Sequence, residues 1–341
     1  MKVKMMKWED LKEYALSIYD NNKLLSPYQS YRFLSVTGVG KVDKNPLACI
    51  GYKPYNFVLF RGDSAVAIAP FYAKKQNGLY LVVPRGYFTS AGHLDFIYCE
   101  DFSFDEYNFL INAIKQYFGR CEIKMDRVSE RSLTFKYASR DKLVKPESSI
   151  MVSIDLPENY DAWYKSLSKS VRQNIRTAYN RMNTDGKAFE FKYFLHQCPD
   201  KKINSDILHL FARRLCEHSK IKSTLAEALL YRMKSHHPMT VGIDSDPGYI
   251  GAVLYIDNKL AAFFNGFVGN DKRVLVPRLA VNLDFNRYSP GGILINEFIK
   301  TIKSDDFSEE ILELDLQRGD EPYKYSYGGK EYFNYSWSYY A

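Results

Sequence analysis

The stretch from Arg273 to Gly329 decides how this chain is read. It opens with an apolar run, Val274-Leu275-Val276-Pro277-Arg278-Leu279-Ala280-Val281, then passes through Arg287-Tyr288-Ser289-Pro290-Gly291-Gly292 into a helical pattern over 293–303. A second apolar run, Ile311-Leu312-Glu313-Leu314-Asp315-Leu316, leads to a polar loop, Gln317-Arg318-Gly319-Asp320-Glu321-Pro322-Tyr323-Lys324, that continues to Lys330. The two apolar runs predict strands. Serine before proline predicts a helix start: the hydroxyl can accept an orphan N–H, and proline lacks only an N–H that the first turn leaves unused. Gly291 and Gly292 carry no side chains where backbone N–H groups would approach a phosphate, and a helix N-terminus favours an anion. Strand, glycine turn, helix and strand in this order therefore predict an anion site. A capped helix that binds nothing is the plainer alternative.

Working upstream, 249–256, 260–268 and 273–282 predict a three-strand meander, with turns at Asp257-Asn258-Lys259 and Gly269-Asn270-Asp271. Before it come a strand over 150–156, one long helix over 160–182, a strand over 189–195 and helices over 206–218 and 225–235. A last strand is expected over 331–337. The first half alternates short elements. Trp8, Leu11, Ala15 and Ile18 share a helix face, and strands over 56–60 and 65–72 flank Arg61-Gly62-Asp63-Ser64. Further strands fall at 79–83, 94–98 and 121–125, with a helix over 104–118. The polar stretch from Ser129 to Ser149 sets the domain boundary, giving units 1–145 and 146–341.

At 341 residues the chain exceeds one ordinary core, which fits two domains or two similar halves. Apolar residues make up 46% and charged residues 26%, which excludes wholesale disorder and a coiled-coil rod. With 47 basic and 40 acidic residues the net charge is +7, a mild bias toward anionic ligands that does not demand nucleic acid. The 28 Tyr and 22 Phe fill two cores more readily than they build a sugar cleft. Five cysteines without a C-x-x-C pair argue against a disulfide framework or a zinc ribbon, and a reducing, cytoplasmic setting is the expectation. No window is apolar enough for a membrane helix, so no integral membrane association is expected.

Several familiar sites are missing. Gly38-Val39-Gly40-Lys41 fails the P-loop spacing, and His236-His237, being adjacent, diverge rather than converge on a metal; no metal is expected. Lys165, Lys169, Arg172, Arg176 and Arg181 give the 160–182 helix a basic face. Arg172 and Arg176, four apart, are positioned to clamp the phosphate of a nucleotide- or lipid-linked sugar. A solvated helix face is the alternative.

The order of meander, glycine turn, helix and strand resembles the Gcn5-related N-acetyltransferase (GNAT) fold. Tyr288-Ser289-Pro290-Gly291 followed by Asp315-Leu316-Gln317-Arg318-Gly319-Asp320-Glu321-Pro322-Tyr323-Lys324 resembles its CelD-like branch, associated with cellulose and exopolysaccharide biosynthesis. So do Leu167-Ser168-Lys169-Ser170-Val171-Arg172-Gln173-Asn174-Ile175-Arg176, Ser26-Pro27, Val66-Ala67-Ile68-Ala69-Pro70 and Ala91-Gly92-His93-Leu94-Asp95. That branch is related to the FemAB peptidoglycan aminoacyltransferases, which carry two GNAT-like halves. The resemblance implies an α/β fold of two tandem GNAT-like halves, each a mixed, largely antiparallel sheet flanked by helices. It also implies an acyl-CoA donor, with acetyl the expected group.

In such a fold the pyrophosphate would meet Arg287, Tyr288, Ser289, Gly291 and Gly292, and pantetheine would lie along Leu279 and Val281. Acyl transfer needs a proton acceptor for the attacking group and a proton donor for the thiolate. Asp315 and Glu321 are the candidate bases and Tyr323 the candidate acid, with Arg172, Arg176, Asp320 and Lys324 on the acceptor. The plainer reading pairs Asp320, Glu321 and Lys324 with one another to order their loop. The expected acceptor is a sugar, nucleotide-sugar or lipid-linked precursor of a cell-surface polysaccharide. Two other functions are kept open: aminoacyl transfer from tRNA to a peptidoglycan precursor, and a non-catalytic module binding a glycan or polyanion.

Overall fold

The computed structural model describes residues 1–37, 49–89, 91–140, 146–220, 223–234 and 248–341. Gly38-Val39-Gly40-Lys41 and His236-His237 lie outside the described residues. The chain divides into two compact units. The first comprises Met1–Met151, Gly269–Asp271 and Glu331–Ala341, and the second Val152–Val268 and Lys272–Lys330.

In the first unit, β1 (Lys2–Met6) is followed by α1 (Lys12–Asp20) and α2 (Tyr31–Val36). The meander β2 (Lys53–Arg61), β3 (Ser64–Gln76) and β4 (Leu79–Pro84) comes next, then the two-residue strand β5 (Ile97–Tyr98). Helix α3 (Phe104–Phe118) crosses over to β6 (Cys121–Ser129), and α4 (Leu133–Ala138) closes the run. Helix α3 starts where Ser103 and Glu106 form a reciprocal capping box, and it ends at Gly119 with φ +64°. The strands run β1-β2-β3-β4-β6-β13, where β13 is Gly329–Tyr340 and β5 pairs with β3. Every pair for which a register is given is antiparallel except β4–β6, which is parallel over Tyr80–Cys121, Leu81–Glu122 and Val82–Ile123.

A buried carboxyl sits inside this unit. The Asp95 carboxylate accepts the Phe96 N–H at 2.7 Å and the Ser132 hydroxyl, and Asp95 is 9% exposed. Burial raises its pKa from 3.8 to about 6, against the hydrogen bonds from Ser132, Thr134 and Phe96 that lower it. A carboxyl with a raised native pKa binds more protons folded than unfolded, so stability falls as pH climbs through that interval. We expect about 3 kcal/mol to be lost between roughly pH 4 and pH 6 at 1.36 kcal/mol per pKa unit. Denaturant titrations across that range on the native chain and on Asp95→Asn check this: the difference between the two curves should carry the slope, and parallel curves would refute it.

The second unit begins in β7 (Glu147–Asp155) at Val152 and continues through α5 (Tyr160–Ser166), α6 (Lys169–Thr184) and β8 (Phe189–Leu195). Next come α7 (Lys201–His218), α8 (Thr224–Lys234), and the meander β9 (Tyr249–Ile256), β10 (Lys259–Val268) and β11 (Arg273–Val281). It finishes with α9 (Pro290–Ile302), β12 (Glu313–Arg318) and α10 (Pro322–Ser326). Strand order is β7-β12-β11-β10-β9-β8. Both units thus repeat one plan: an antiparallel meander, a crossover helix, and a strand returning parallel to the meander's last. The chain is α/β, with mixed, mostly antiparallel strands flanked by helices.

Strand β9 is buried along its whole length, and its alternation shows why. Ala252, Leu254 and Ile256 face a core shared with α6 and α9, whereas Val253 and Tyr255 face one shared with α7. Helices therefore cover both faces. Helix α9 brings Ile293, Leu294, Phe298 and Ile299, all at 0% exposure, to the first core, each worth about 1.5–3 kcal/mol of burial.

The single helix expected over 160–182 is two helices. Leu167 is extended (φ −66°, ψ 149°), and Ser168 caps α6 by accepting the Val171 N–H. The break turns Trp163, 1% exposed, into the core while α6 presents Ile175, Ala178 and Met182.

Candidate active site

The turn before α9 is built from residues that avoid regular helix. Asn282 accepts the Asp284 N–H and starts a 3-10 turn over Leu283–Tyr288. Ser289 then adopts a left-handed conformation (φ 47°, ψ 55°), which costs a non-glycine residue about 1–2 kcal/mol. The Ser289 N–H donates to the Asn286 carbonyl at 3.0 Å, and the Ser289 carbonyl accepts the Ile293 N–H at 3.1 Å. Gly291 and Gly292 precede that first bond, so helix geometry gives their N–H groups no partner within the helix. The expected cap by the Ser289 hydroxyl is not formed. A left-handed backbone aims the side chain elsewhere, and it lines a cavity instead. Strain of this kind is typical of ligand-binding turns.

The neighbouring strands diverge. Pairing of β11 with β12 is parallel and covers only Arg273–Glu313, Val274–Leu314 and Leu275–Asp315. Beyond that, β11 runs on to Val281, and β12 reaches Gln317 with φ +60°. Leu279 and Val281 lie on the diverging part of β11, half-buried and packed on the core beneath α9. Val281 approaches the turn closely: a Cβ on Gly291 would stand 3.0 Å from its Cγ1.

Beside the turn is a cavity of about 150 Å³. Helix α6 contributes Val171, Asn174, Ile175 and Ala178; the turn and α9 contribute Ser289, Gly292 and Ile293. Tyr323, Ser326 and Tyr327 close it from α10. A volume well below the ~300–1,000 Å³ of a whole-ligand pocket suits a fragment, such as a short acyl group or one phosphate. A Cβ on Gly292 would stand 2.1 Å from the Tyr327 hydroxyl, so the bare backbone here is what lets that ring sit where it does. Tyr323 is pushed up to about 12 by burial of its hydroxyl and then by the Glu321 charge, although the residue as a whole is 39% exposed. Burial alone takes Tyr327 to about 12. Both hydroxyls stay protonated at neutral pH and act as donors.

The other expected residues fall into three groups. Asp315 is fully buried in β12 and does not line the cavity. Its Oδ1 accepts the Gln317 N–H at 2.8 Å, and its Oδ2 is 3.8 Å from Arg273 Nη1, so it shapes the strand's exit. Lys324 does not reach outward to an anion. It is 2% exposed, and its ammonium donates to the carbonyls of Gln317 (3.1 Å), Arg318 (2.7 Å) and Gly319 (3.1 Å) while pairing with Glu321 at 3.0 Å. Asp320 is exposed on the same loop. For Glu321 burial works against ionisation, but Lys324 and a backbone N–H outweigh it and hold the carboxyl below its usual range.

The basic residues are mostly engaged. Arg172 Nη1 donates to the carbonyls of Lys165 and Leu167, both at 2.7 Å, and so caps the end of α5 instead of clamping a phosphate. Arg176 is exposed and donates to Gln173 at 3.0 Å. Arg287 pairs with Asp185 at 2.9 Å, and the Tyr288 hydroxyl donates to the same carboxylate at 2.9 Å. These two hold the turn against the end of α6. Tyr327 escaped the sequence reading, and Asn174, though inside the family-like segment, has no role assigned there. Tyr327 follows Tyr323 by four residues, a spacing that put both on one face had α10 been recognised.

Among the described residues no group of three or more His, Cys, Asp or Glu side chains forms a metal-binding cluster, and no helix is long and apolar enough to cross a membrane. No curated protein matches the sequence significantly. The fold is shared with solved structures at low identity. The crystal structure of FemX aligns over 100% of this chain and 98% of its own, with a TM-score of 0.63 and 10% identity. A conserved protein of unknown function from Bacteroides thetaiotaomicron aligns over 99% of both chains (TM-score 0.57, 12% identity). The C-terminal domain of a putative lysylphosphatidylglycerol synthetase from Agrobacterium fabrum aligns over 97% of this chain and 92% of its own (TM-score 0.52, 12% identity). The family model described as acetyltransferase (GNAT) domain matches residues 169–325, the span from α6 to α10 that encloses the turn, the diverging strands and the cavity. The chain is thus an acyltransferase that carries a GNAT acetyltransferase domain over those residues.

Proposed function

We propose that the chain transfers an acyl group, acetyl in the first instance, from coenzyme A to an amine or hydroxyl of a sugar in a cell-surface polysaccharide precursor. The supporting observation is the cavity at the head of α9, where the Gly292 backbone, the free first-turn amides and two protonated tyrosines meet. In this reading Gly291 and Gly292 N–H groups bind the pyrophosphate, with Arg287 and Tyr288 fixing the turn. Leu279 and Val281 flank the pantetheine arm. The donor supplies an activated thioester carbonyl. Tyr323 donates its proton toward the leaving sulfur, and Glu321, ionised and 55% exposed at its side chain, takes the proton of the attacking group. Asp315 holds the strand exit that carries both. Arg176 and Asp320 remain available to the acceptor.

Thermal unfolding with acetyl-CoA, CoA and adenosine diphosphate tests the donor. A ligand at ~100 times its dissociation constant adds about 2.7 kcal/mol to the folded state. Tyr323→Phe should keep that stabilisation while slowing thiol release at least ~100-fold, the usual contribution of one general acid being about 10²–10⁴. A second reading, aminoacyl transfer from tRNA, draws on the full-length likeness to FemX. Stabilisation by an aminoacylated tRNA stem and by no acyl-CoA would replace the first reading with the second.

A further inference from the structure

The first unit holds a larger cavity, of about 470 Å³, that the acyl-transfer reading does not use. Its wall contains a buried arginine with no acidic partner. Arg85 is 8% exposed; its Nε donates to the Leu34 carbonyl at 2.5 Å, and its guanidinium lies 4.2 Å over the Trp8 ring and 5.5 Å from the Tyr72 ring. Trp8 in turn stacks on Tyr31 at 4.9 Å with the rings 5° apart. Stacking orients the guanidinium but does not neutralise it. A guanidinium has five N–H donors, and among the described residues those on Nη1 and Nη2 have no hydrogen-bond acceptor. Burial pulls the Arg85 pKa down, and the Tyr72, Tyr31 and Glu9 side chains only partly offset it, so no ion pair neutralises the guanidinium.

A second polar group in the same wall is also unmatched. Asn56 is 3% exposed; its Nδ2 donates to the Met6 carbonyl at 3.1 Å, which fixes the amide's orientation, and its Oδ1 has no donor. Lys7 and Glu9 complete the charged lining, so Arg85, Lys7 and Glu9 together carry +1. One free fork and one free acceptor describe the complement: a planar carboxylate for the fork, with an N–H close by for the Asn56 oxygen. The buried Asn56 oxygen is costly in this state unless a ligand pairs it.

We propose that this cavity is a second binding site, which takes a small carboxylate bearing an adjacent N–H, as in an amino acid or the carboxyl end of a peptide. Arg85 Nη1 and Nη2 receive the two carboxylate oxygens, Asn56 Oδ1 accepts the ligand N–H, and Trp8 forms the floor under the guanidinium. The site lies wholly in the first unit and does not depend on the donor chemistry of the second.

The three tryptophans give a local readout. In the full chain labelled with ¹⁵N-tryptophan, the Trp8 indole signal, assigned by its loss in Trp8→Phe, should move saturably on titration with glycine or N-acetylglycine at millimolar concentration. The Trp163 and Trp337 signals should stay in place. Movement with glycine alone would assign the ligand as a free amino acid, and movement with N-acetylglycine as a peptide end. Arg85→Lys keeps the charge but loses the planar fork and should weaken binding about tenfold, with unchanged Trp163 and Trp337 signals as proof of folding. Four outcomes would overturn the proposal: no saturable movement with either carboxylate, equal affinity for acetate, tighter response to inorganic phosphate, or unchanged affinity in Arg85→Lys.

Discussion

Gly292→Val should abolish stabilisation by acetyl-CoA while leaving the chain folded. A Cβ at this position would stand 3.3 Å from Tyr327 Cζ and 2.1 Å from its hydroxyl, the latter closer than any real contact, so Tyr327 must swing away or α9 must shift. Either movement disrupts the cavity wall that Gly292 and Tyr327 share. Helix propensity alone would predict the opposite sign for alanine, which gains about 1 kcal/mol over glycine inside a helix. Gly292→Ala is therefore the cleaner probe. It should unfold within about 1 kcal/mol of the native chain and lose most of the ~2.7 kcal/mol that saturating donor adds. Gly292→Ala combined with Tyr327→Phe removes the clashing oxygen and should restore part of the donor effect. At Gly291 the nearest obstacle is Val281 Cγ1 at 3.0 Å, which a small rotation relieves, so Gly291→Ala should be milder. Full donor stabilisation in Gly292→Val would show that the cavity is not the donor site.

How far the sequence reveals such a site depends on the range of the interactions that make it. Helix α3 is legible end to end because its cap, its apolar face and its terminal glycine are local. The meander β9–β11 is equally legible, since apolar runs alternate with turn residues. Strand β1 is not: it alternates weakly and is held by pairing Lys2–Met6 with residues 56–60, fifty or more positions away. The same limit applies to Glu331–Ala341, which continue the sequence of the second unit but belong to the first.

At the site, the motif located the turn, yet the roles of individual side chains came from three-dimensional pairing. Arg172 looks like a ligand clamp in the sequence because nothing local shows that Lys165 and Leu167 would present it two carbonyls. Ser289 looks like a cap because its left-handed backbone follows from the preceding 3-10 turn, which the pattern does not encode. Arg85 offered no signal at all: its neighbours Trp8, Asn56 and Tyr72 come from three separate parts of the chain.

Lys324 is where stability and chemistry meet, and Lys324→Met should damage both. Gln317 (φ +60°) and Gly319 (φ +110°) bend the chain after β12 into a shape that backbone preference opposes. One ammonium compensates by donating to three successive carbonyls at 2.7–3.1 Å. Methionine keeps the stem's volume but leaves those carbonyls and the Glu321 carboxylate without their donor. Loss of one partner from a buried charged arrangement costs about 3–5 kcal/mol. Glu321→Gln should cost under about 1 kcal/mol, because that carboxylate is 55% exposed and surface pairs contribute little. The effect on transfer follows from the geometry: Tyr323 precedes Lys324 on α10, so loosening the loop displaces the proton donor from the cavity. Arginine should not rescue, since a planar fork cannot aim at three carbonyls arranged around a single nitrogen. Denaturant unfolding and acetyl-CoA turnover on Lys324→Met, Lys324→Arg and Glu321→Gln separate the contributions. A stable but inactive Lys324→Met would move the lysine from the loop's framework to the chemistry, and a stable, active one would remove it from both.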